Sequence, residues 1–180
     1  YIMNNINIKA SLLSNSLQQI VGVVERKQTM PILSHILLEC SGNSLTLTAT
    51  DLEVQLSCTI ENVNVDEAFV TTIPGRKAFE LIKSLGEQDI EIIVSESSLK
   101  ITSSNSSFKL KTLSSNEFPL FDATGTDTTF SLKQNEIKTL FNKTQFAMAQ
   151  QDVRFYLNGL LLELSPNTLV SVGTDGHRLA

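Results

Sequence analysis

The sequence predicts an α+β fold in which repeated units of one strand, one helix and three strands place their helices on one face of antiparallel sheets. Three observations carry that prediction. Apolar residues switch along the chain between a helical period and the period of two that a half-buried strand requires. Turn-forming residues punctuate the period-two runs at hairpin-like intervals. The opening of the chain also recurs, in register, at its end.

Taken in order, Ile6-Asn7-Ile8 alternates like a short strand. Leu13, Leu17, Ile20, Val21 and Val24 then fall at i, i+4, i+7, i+8 and i+11, which is the apolar face of an amphipathic helix. Ser11 is the expected N-cap. After the charged loop Glu25-Arg26-Lys27-Gln28 and Pro31, three strands are expected at 32–40, 44–50 and 54–60, split by Ser41-Gly42-Asn43 and Asp51. The pattern restarts with a strand at 68–73, the break Pro74-Gly75, and a short helix marked by Ala78, Leu81, Ile82 and Leu85 and stopped by Gly86. Three more strands follow at 89–95, 98–103 and 107–113, the last two joined through Ser104-Asn105-Ser106.

Residues 122–129 are small and polar, with no bulky apolar group, which is linker composition. The expected organisation is a complete first domain at 1–122, a linker at 123–129 and the truncated start of a second domain at 130–180. Sliding the chain by 124 residues aligns 6–56 with 130–180 without a gap. Lys9 then matches Lys133, Leu33 matches Leu157, and the pairs Leu37/Leu161, Leu38/Leu162, Glu39/Glu163, Asn43/Asn167, Thr50/Thr174 and Asp51/Asp175 follow. A turn, a Thr-Asp pair and an upstream helix in one register are the mark of a duplicated domain. Because the second copy stops after its first strands, the 180 residues are expected to be a fragment of a longer chain.

Hydrophobic residues make up 41% of the 180 and charged residues 18%, enough for a real core. No apolar run approaches the ~20 residues of a bilayer span and no basic, signal-like segment opens the chain, so no membrane partner and a cytoplasmic location are expected. Cys40 and Cys58 lack ligand spacing and read as reduced thiols, with no metal and no cofactor implied. The net charge of −5 argues against nucleic acid until its distribution is considered. The three helical segments with their flanking loops hold nine basic and three acidic residues, leaving five basic and 16 acidic elsewhere. Helices aligned on one side of a curved sheet would therefore form a phosphate-attracting layer backed by an acidic one.

Thr-Met-Pro-Ile-Leu at 29–33, Thr-Asp-Leu-Glu at 50–53, Gln-Phe-Ala-Met-Ala-Gln-Gln-Asp-Val-Arg-Phe-Tyr-Leu-Asn-Gly at 145–159 and Thr-Asp-Gly-His-Arg-Leu-Ala at 174–180 resemble the bacterial DNA polymerase III β subunit, the β sliding clamp. The resemblance covers residues 3–180 and implies the DNA clamp fold: a three-domain subunit that closes as a head-to-tail homodimeric ring, helices inside and sheets outside. It implies a processivity factor and no enzyme, sliding on double-stranded DNA without reading sequence. Its implied partners are the replicative DNA polymerase, the clamp loader and repair proteins, held through short hydrophobic motifs.

Carried over residue by residue, the implied DNA contacts are Lys27, Arg76, Gln151, Phe155 and Tyr156. Lys27 stands where the family has arginine and Phe155 where it has tyrosine, so charge survives in the first case and a hydroxyl is lost in the second. Phe155 and Tyr156 also read as the start of a strand, where one of them could be a core residue. The implied partner-peptide cleft is Leu157, Thr174, Gly176, His177, Arg178 and Leu179, with its other wall in sequence beyond residue 180. The implied dimer edge is the strand containing Phe108, Lys109, Leu110 and Lys111, with alternate side chains on opposite faces.

Two rival readings are open. Ser171, Asp175 and His177 suggest a nucleophile set, but they crowd one strand and turn without a nucleophile elbow or glycine-rich phosphate loop, and His35 has no evident partner. A duplicated protein-interaction module without DNA encirclement fits the repeats and the acidic faces, and leaves the basic helices without a use.

Overall fold

The structure, a computed structural model, describes residues 4–24, 30–65, 67–121 and 129–180. The chain divides after residue 122 into two compact units.

In the first unit, β1 (Asn4–Lys9) turns Ile6 and Ile8 inward, and α1 (Ala10–Ile20) buries Leu13, Leu17 and Ile20 at the predicted spacing. Ser11 is not the N-cap. The helix starts two residues earlier, with Lys9 at the cap position, because the Ala10 N–H donates to the Gln88 carbonyl at 2.9 Å. A neighbouring loop thus satisfies an orphan helix donor, and Ser11 Oγ donates instead to Glu87. Val24 is buried as the periodicity predicts, yet it lies past the helix end.

Pro31–Ser34 forms a 3-10 turn where a strand was expected, with Pro31 fixing φ at its first position, and β2 begins only at His35 (His35–Ser41). It continues as a meander into β3 (Ser44–Thr50) and β4 (Gln55–Glu61). A two-residue strand, β5 (Asn64–Val65), follows, which the sequence pattern did not predict. After β6 (Phe69–Pro74), α2 (Gly75–Ser84) buries Ala78 and Ile82 and ends before Gly86, whose φ of 61° suits glycine. Then come β7 (Asp89–Ser95), β8 (Ser98–Thr102) and β9 (Ser107–Lys111), the last two shorter than predicted.

The sheets do not follow the sequence units. One has the order β4-β3-β2-β6 and the other β5-β1-β7-β8-β9, all pairs antiparallel. The leading strand of each unit thus pairs into the sheet of the other: β1 lies on β7, and β6 on β2. Both helices pack into the core that these sheets share, with Leu13, Leu17 and Ile82 meeting Ile36, Leu45, Ile90 and Leu99.

A smaller cluster, Ile32, Leu33, Leu37 and Phe118, anchors the segment that follows β9. Thr72 ties the same segment down. The Leu113 N–H donates to Thr72 Oγ1 at 2.9 Å, and the Thr72 hydroxyl donates to the Leu113 carbonyl at 2.9 Å. With the single hydroxyl proton so placed, His35 Nδ1, 3.0 Å away, is the donor to Thr72, which fixes the Nδ1–H tautomer. His35 therefore has a buried partner that the sequence did not reveal. Cys40 and Cys58 are free thiols, the first buried and the second half-buried.

The second unit repeats the opening of the first at one offset, with β10 and β11 each two residues shorter than β2 and β3. The helix α3 (Gln134–Thr144) is α1 shifted by 124 positions, and the 3-10 turn Phe155–Asn158 is Pro31–Ser34 shifted equally. The hairpin of β10 (Leu161–Ser165) and β11 (Thr168–Val172) corresponds to β2 and β3. The Thr-Asp turns agree in detail. Thr50 Oγ1 accepts the Leu52 N–H, and Asp51 Oδ1 accepts those of Glu53 and Val54. Thr174 and Asp175 do the same for Gly176, His177 and Arg178.

The third turn position is left-handed in both copies, φ 76° at Leu52 and 87° at Gly176. Leucine pays for that conformation and glycine does not, at roughly 1–2 kcal/mol. Leu52→Gly is therefore expected to stabilise the first unit by about 0.5–1 kcal/mol after the entropy cost of glycine, read from urea denaturation midpoints. A lower midpoint would contradict the strain.

Among the described residues no helix is long and apolar enough to cross a membrane.

Candidate nucleic-acid and partner-peptide interface

The first unit contributes α2 and the edge of its five-stranded sheet. Arg76, in the first turn of α2, donates through Nε to the Val24 carbonyl at 2.7 Å. That bond pins the guanidinium beside the end of the α1 segment and leaves its two Nη groups for other acceptors. Lys27 lies outside the described residues. The edge strand β9 pairs only with β8 in the sheet order, so its outer backbone groups are open. Leu110 is buried in the core of its own unit and Phe108 packs partly against it, while Lys109 and Lys111 are exposed. What β9 offers a partner is therefore backbone hydrogen bonding and lysines, with the apolar pair bracing it from behind.

In the second unit, Phe155 and Tyr156 begin the 3-10 turn, four residues or more ahead of β10. Neither is a core residue, since they are 85% and 78% exposed, and the strand start expected there is corrected accordingly. Leu157, next in the turn, takes the buried place instead at 8% exposure, as Leu33 does in the first copy. Two aromatic rings thus stand in solvent, and Gln151, earlier in the same loop, is held at φ 58°.

The loop between α3 and β10 is closed by its own bonds. Asp152 N–H donates to Asn158 Oδ1 and Asn158 Nδ2 returns to the Asp152 carbonyl, both at 2.9 Å. Ala149 N–H donates to the Leu157 carbonyl. The turn at 174–179 is equally self-contained. Thr174 Oγ1 donates to the Arg178 carbonyl at 2.7 Å, Thr174 and Leu179 form a bridge, and Gly173 and Ala180 exchange backbone bonds at 3.0 Å. The backbone amides of His177 and Arg178 hold the Asp175 carboxyl below the usual carboxylate range, with the Arg178 guanidinium adding to them. Leu179 is left 75% exposed, an apolar surface with no cover.

These pieces meet around a hollow of about 600 Å3 lined by Phe146, Met148, Gln151, Arg154, His177 and Arg178, among others. One residue expected at DNA and two expected in the peptide cleft share its walls. Leu157 and Leu179 are not among its lining residues, so the hollow gathers only part of the expected cleft. Arg154 is the residue that sequence reasoning missed. Its signal was the carboxylate two positions earlier, Asp152, to which it makes a bidentate pair with bonds of 3.0 and 2.8 Å. Those hydrogen bonds hold the Asp152 carboxyl down at about 2.

Ser171, Asp175 and His177 do not assemble as a nucleophile set. Ser171 is buried against Thr144, with 2.9 Å between their hydroxyl oxygens, and Asp175 is engaged by its own turn.

Comparison with known proteins places both units. The N-terminal domain of the DNA polymerase III beta subunit matches residues 4–122, and the central domain of the same subunit matches residues 131–180. The beta sliding clamp of Pseudomonas putida is 46% identical over 174 residues, covering 96% of this chain and 47% of that protein. The crystal structure of the Pseudomonas aeruginosa DNA polymerase III subunit beta has a TM-score of 0.93 at 43% identity, over 97% of this chain and 48% of that one. A second structure of the Pseudomonas aeruginosa clamp, bound to griselimycin, gives 0.91 at 44% identity, over 98% and 48%. The chain spans about half the length of these relatives.

Proposed function

The chain belongs to the DNA polymerase III beta subunit family, and from that premise we propose that the longer protein containing it is a processivity factor that encircles duplex DNA without catalysis. Residues 1–122 serve as a complete first clamp domain, 123–129 as the linker and 130–180 as part of a second. The whole subunit closes as a cytoplasmic homodimeric ring through the open edge of β9, where Lys109 and Lys111 favour an acidic partner strand.

The repeat carries this reading. Helix, 3-10 turn, hairpin and Thr-Asp turn recur at one offset, so the chain strings together copies of a module, and the helical segments with their flanking loops hold nine of the 14 cations. Arg76 and Lys27 would meet phosphates from the first domain, and Gln151, Phe155 and Tyr156 from the second. Modest phosphate contacts suit a ring that is retained by topology, because tight ones would stop it sliding. A protein-interaction module alone would give no use to the excess of cations in the helical segments and their flanking loops.

The face bearing Leu157, Thr174, Gly176, His177, Arg178 and Leu179 takes short hydrophobic motifs from the polymerase, the clamp loader and repair proteins. In unit one the equivalents of Leu161, Leu162 and Leu164 are buried, whereas here these three are 62%, 45% and 43% exposed. That difference supports a second wall supplied by the remainder of the longer protein. Griselimycin, present in a relative's structure, is proposed as a ligand of the same cleft.

The test is retention on DNA. The full-length protein, placed on nicked circular duplex by its loader, should stay through high salt and leave when the circle is cut. Equal, salt-sensitive release from circles and linear duplex would overturn encirclement.

A further inference from the structure

Arg154 stands between two surfaces that have so far been treated separately. On one side it grips Asp152, in the loop that carries Gln151, Phe155 and Tyr156. On the other, its Nη2 reaches the Asp175 carbonyl at 3.4 Å, inside the turn that carries the cleft residues. The guanidinium lies over Gly176, where a Cβ would come within 3.3 Å of Nη1, so the absence of a side chain there gives the fork its place. The loop is braced internally through Asn158, and the turn through Thr174 and Asp175. Arg154 hydrogen-bonds to both.

We propose that Arg154 is a positioning residue that couples the loop at 151–156 to the turn at 174–179, so that duplex DNA against the loop changes the affinity of the cleft for an apolar ligand. The proposal rests on the assignment of those two surfaces given above. An ion pair this exposed, with side chains 48% and 24% accessible, contributes little to stability, and its geometric role is what remains. The fork transmits direction: a phosphate that draws Gln151 or the aromatic pair toward DNA moves Asp152, the bidentate pair carries the guanidinium with it, and the Asp175 carbonyl loses or gains its donor. Lysine could keep the charge but not the fork. Coupling of this kind is reciprocal, so a ligand in the cleft alters the hold on DNA by the same factor.

The measurement is griselimycin affinity of the full-length ring, free in solution and loaded on a nicked circle. The parent protein is expected to show a ratio of about fivefold or more between the two states. In Arg154→Lys and in Asp152→Asn the ratio should fall to near one, while the melting temperature stays close to the parent's. Asp152→Asn also leaves the arginine in place, so lost coupling there cannot be lost direct contact with the ligand. A parent ratio of one, or a ratio unchanged in both variants, overturns the coupling while leaving the cleft and the encirclement intact. Failure of the parent ring to bind griselimycin refutes the cleft reading itself, and this proposal with it.

Discussion

Replacing Phe118 by alanine should lower the unfolding free energy of the first unit by about 3–5 kcal/mol, the range for emptying a buried aromatic site. Its ring is 7% exposed and packs with Ile32, Leu33 and Leu37, with Leu113 alongside. This cluster is separate from the main core, so little nearby can collapse into the space left behind. The ring also fastens the segment leading to the domain boundary, whose next anchor is the Phe121 N–H on Gln55 Oε1 at 2.9 Å. Urea denaturation should therefore show a lower midpoint, and proteolysis should gain an early cut between residues 113 and 121. A loss below about 1 kcal/mol would mean that the segment is not held by this seat.

Thr72→Val is expected to be nearly as damaging although it conserves volume. The hydroxyl serves three groups, the Leu113 N–H, the Leu113 carbonyl and His35 Nδ1, and valine serves none. A buried polar group left without a partner costs about 1–3 kcal/mol, so a total near or above 2 kcal/mol is expected from thermal or urea unfolding. Thr72→Ser, which keeps the hydroxyl, should recover most of it. The same node makes stability depend on pH. Burial pushes His35 below its ordinary value, so the unfolded chain takes up its proton first. Stability from this residue is therefore highest above both values, falls as pH drops through the ordinary histidine range, and levels off once the folded form is also protonated. His35→Gln should flatten the unfolding free energy between about pH 7 and 5, where carboxylates contribute little. An unchanged slope would place the effect elsewhere.

How much of this was legible follows from what each element depends on. The helices and most strands were readable because Leu13, Leu17 and Ile20, or Ile90 and Ile92, repeat with the period of the surface they bury. The start of α1 was misplaced because its first N–H is met by Gln88, a partner 78 positions away that no local pattern records. The 3-10 turns were mistaken for strand starts because Ile32 and Leu33 are apolar and buried, which a strand would also require. The exchange of leading strands was invisible, since alternation says which face is apolar and nothing of which neighbour lies alongside. For the candidate site, the motifs singled out Gln151, Phe155, Tyr156 and the 174–179 turn, and the solvent exposure of both rings needed the structure. Arg154 was passed over because a charged residue on a loop usually reads as a solvated one, and only the placement of Gly176 beneath it reveals its setting.

The crossing of β1 onto β7 has a consequence for how the protein is made. Asn4 is registered against Val94 and Lys9 against Asp89, so this part of the sheet closes over some of the longest sequence separations in the first domain. A nascent chain leaving the ribosome can form the β2–β3–β4 meander early, from neighbours a few residues apart. Its N-terminal strand, with Ile6 and Ile8 exposed, must wait until residues 89–95 emerge. Completion of the domain is thus timed by residues 89–95, and a chaperone has the most reason to attend to β1 until they emerge.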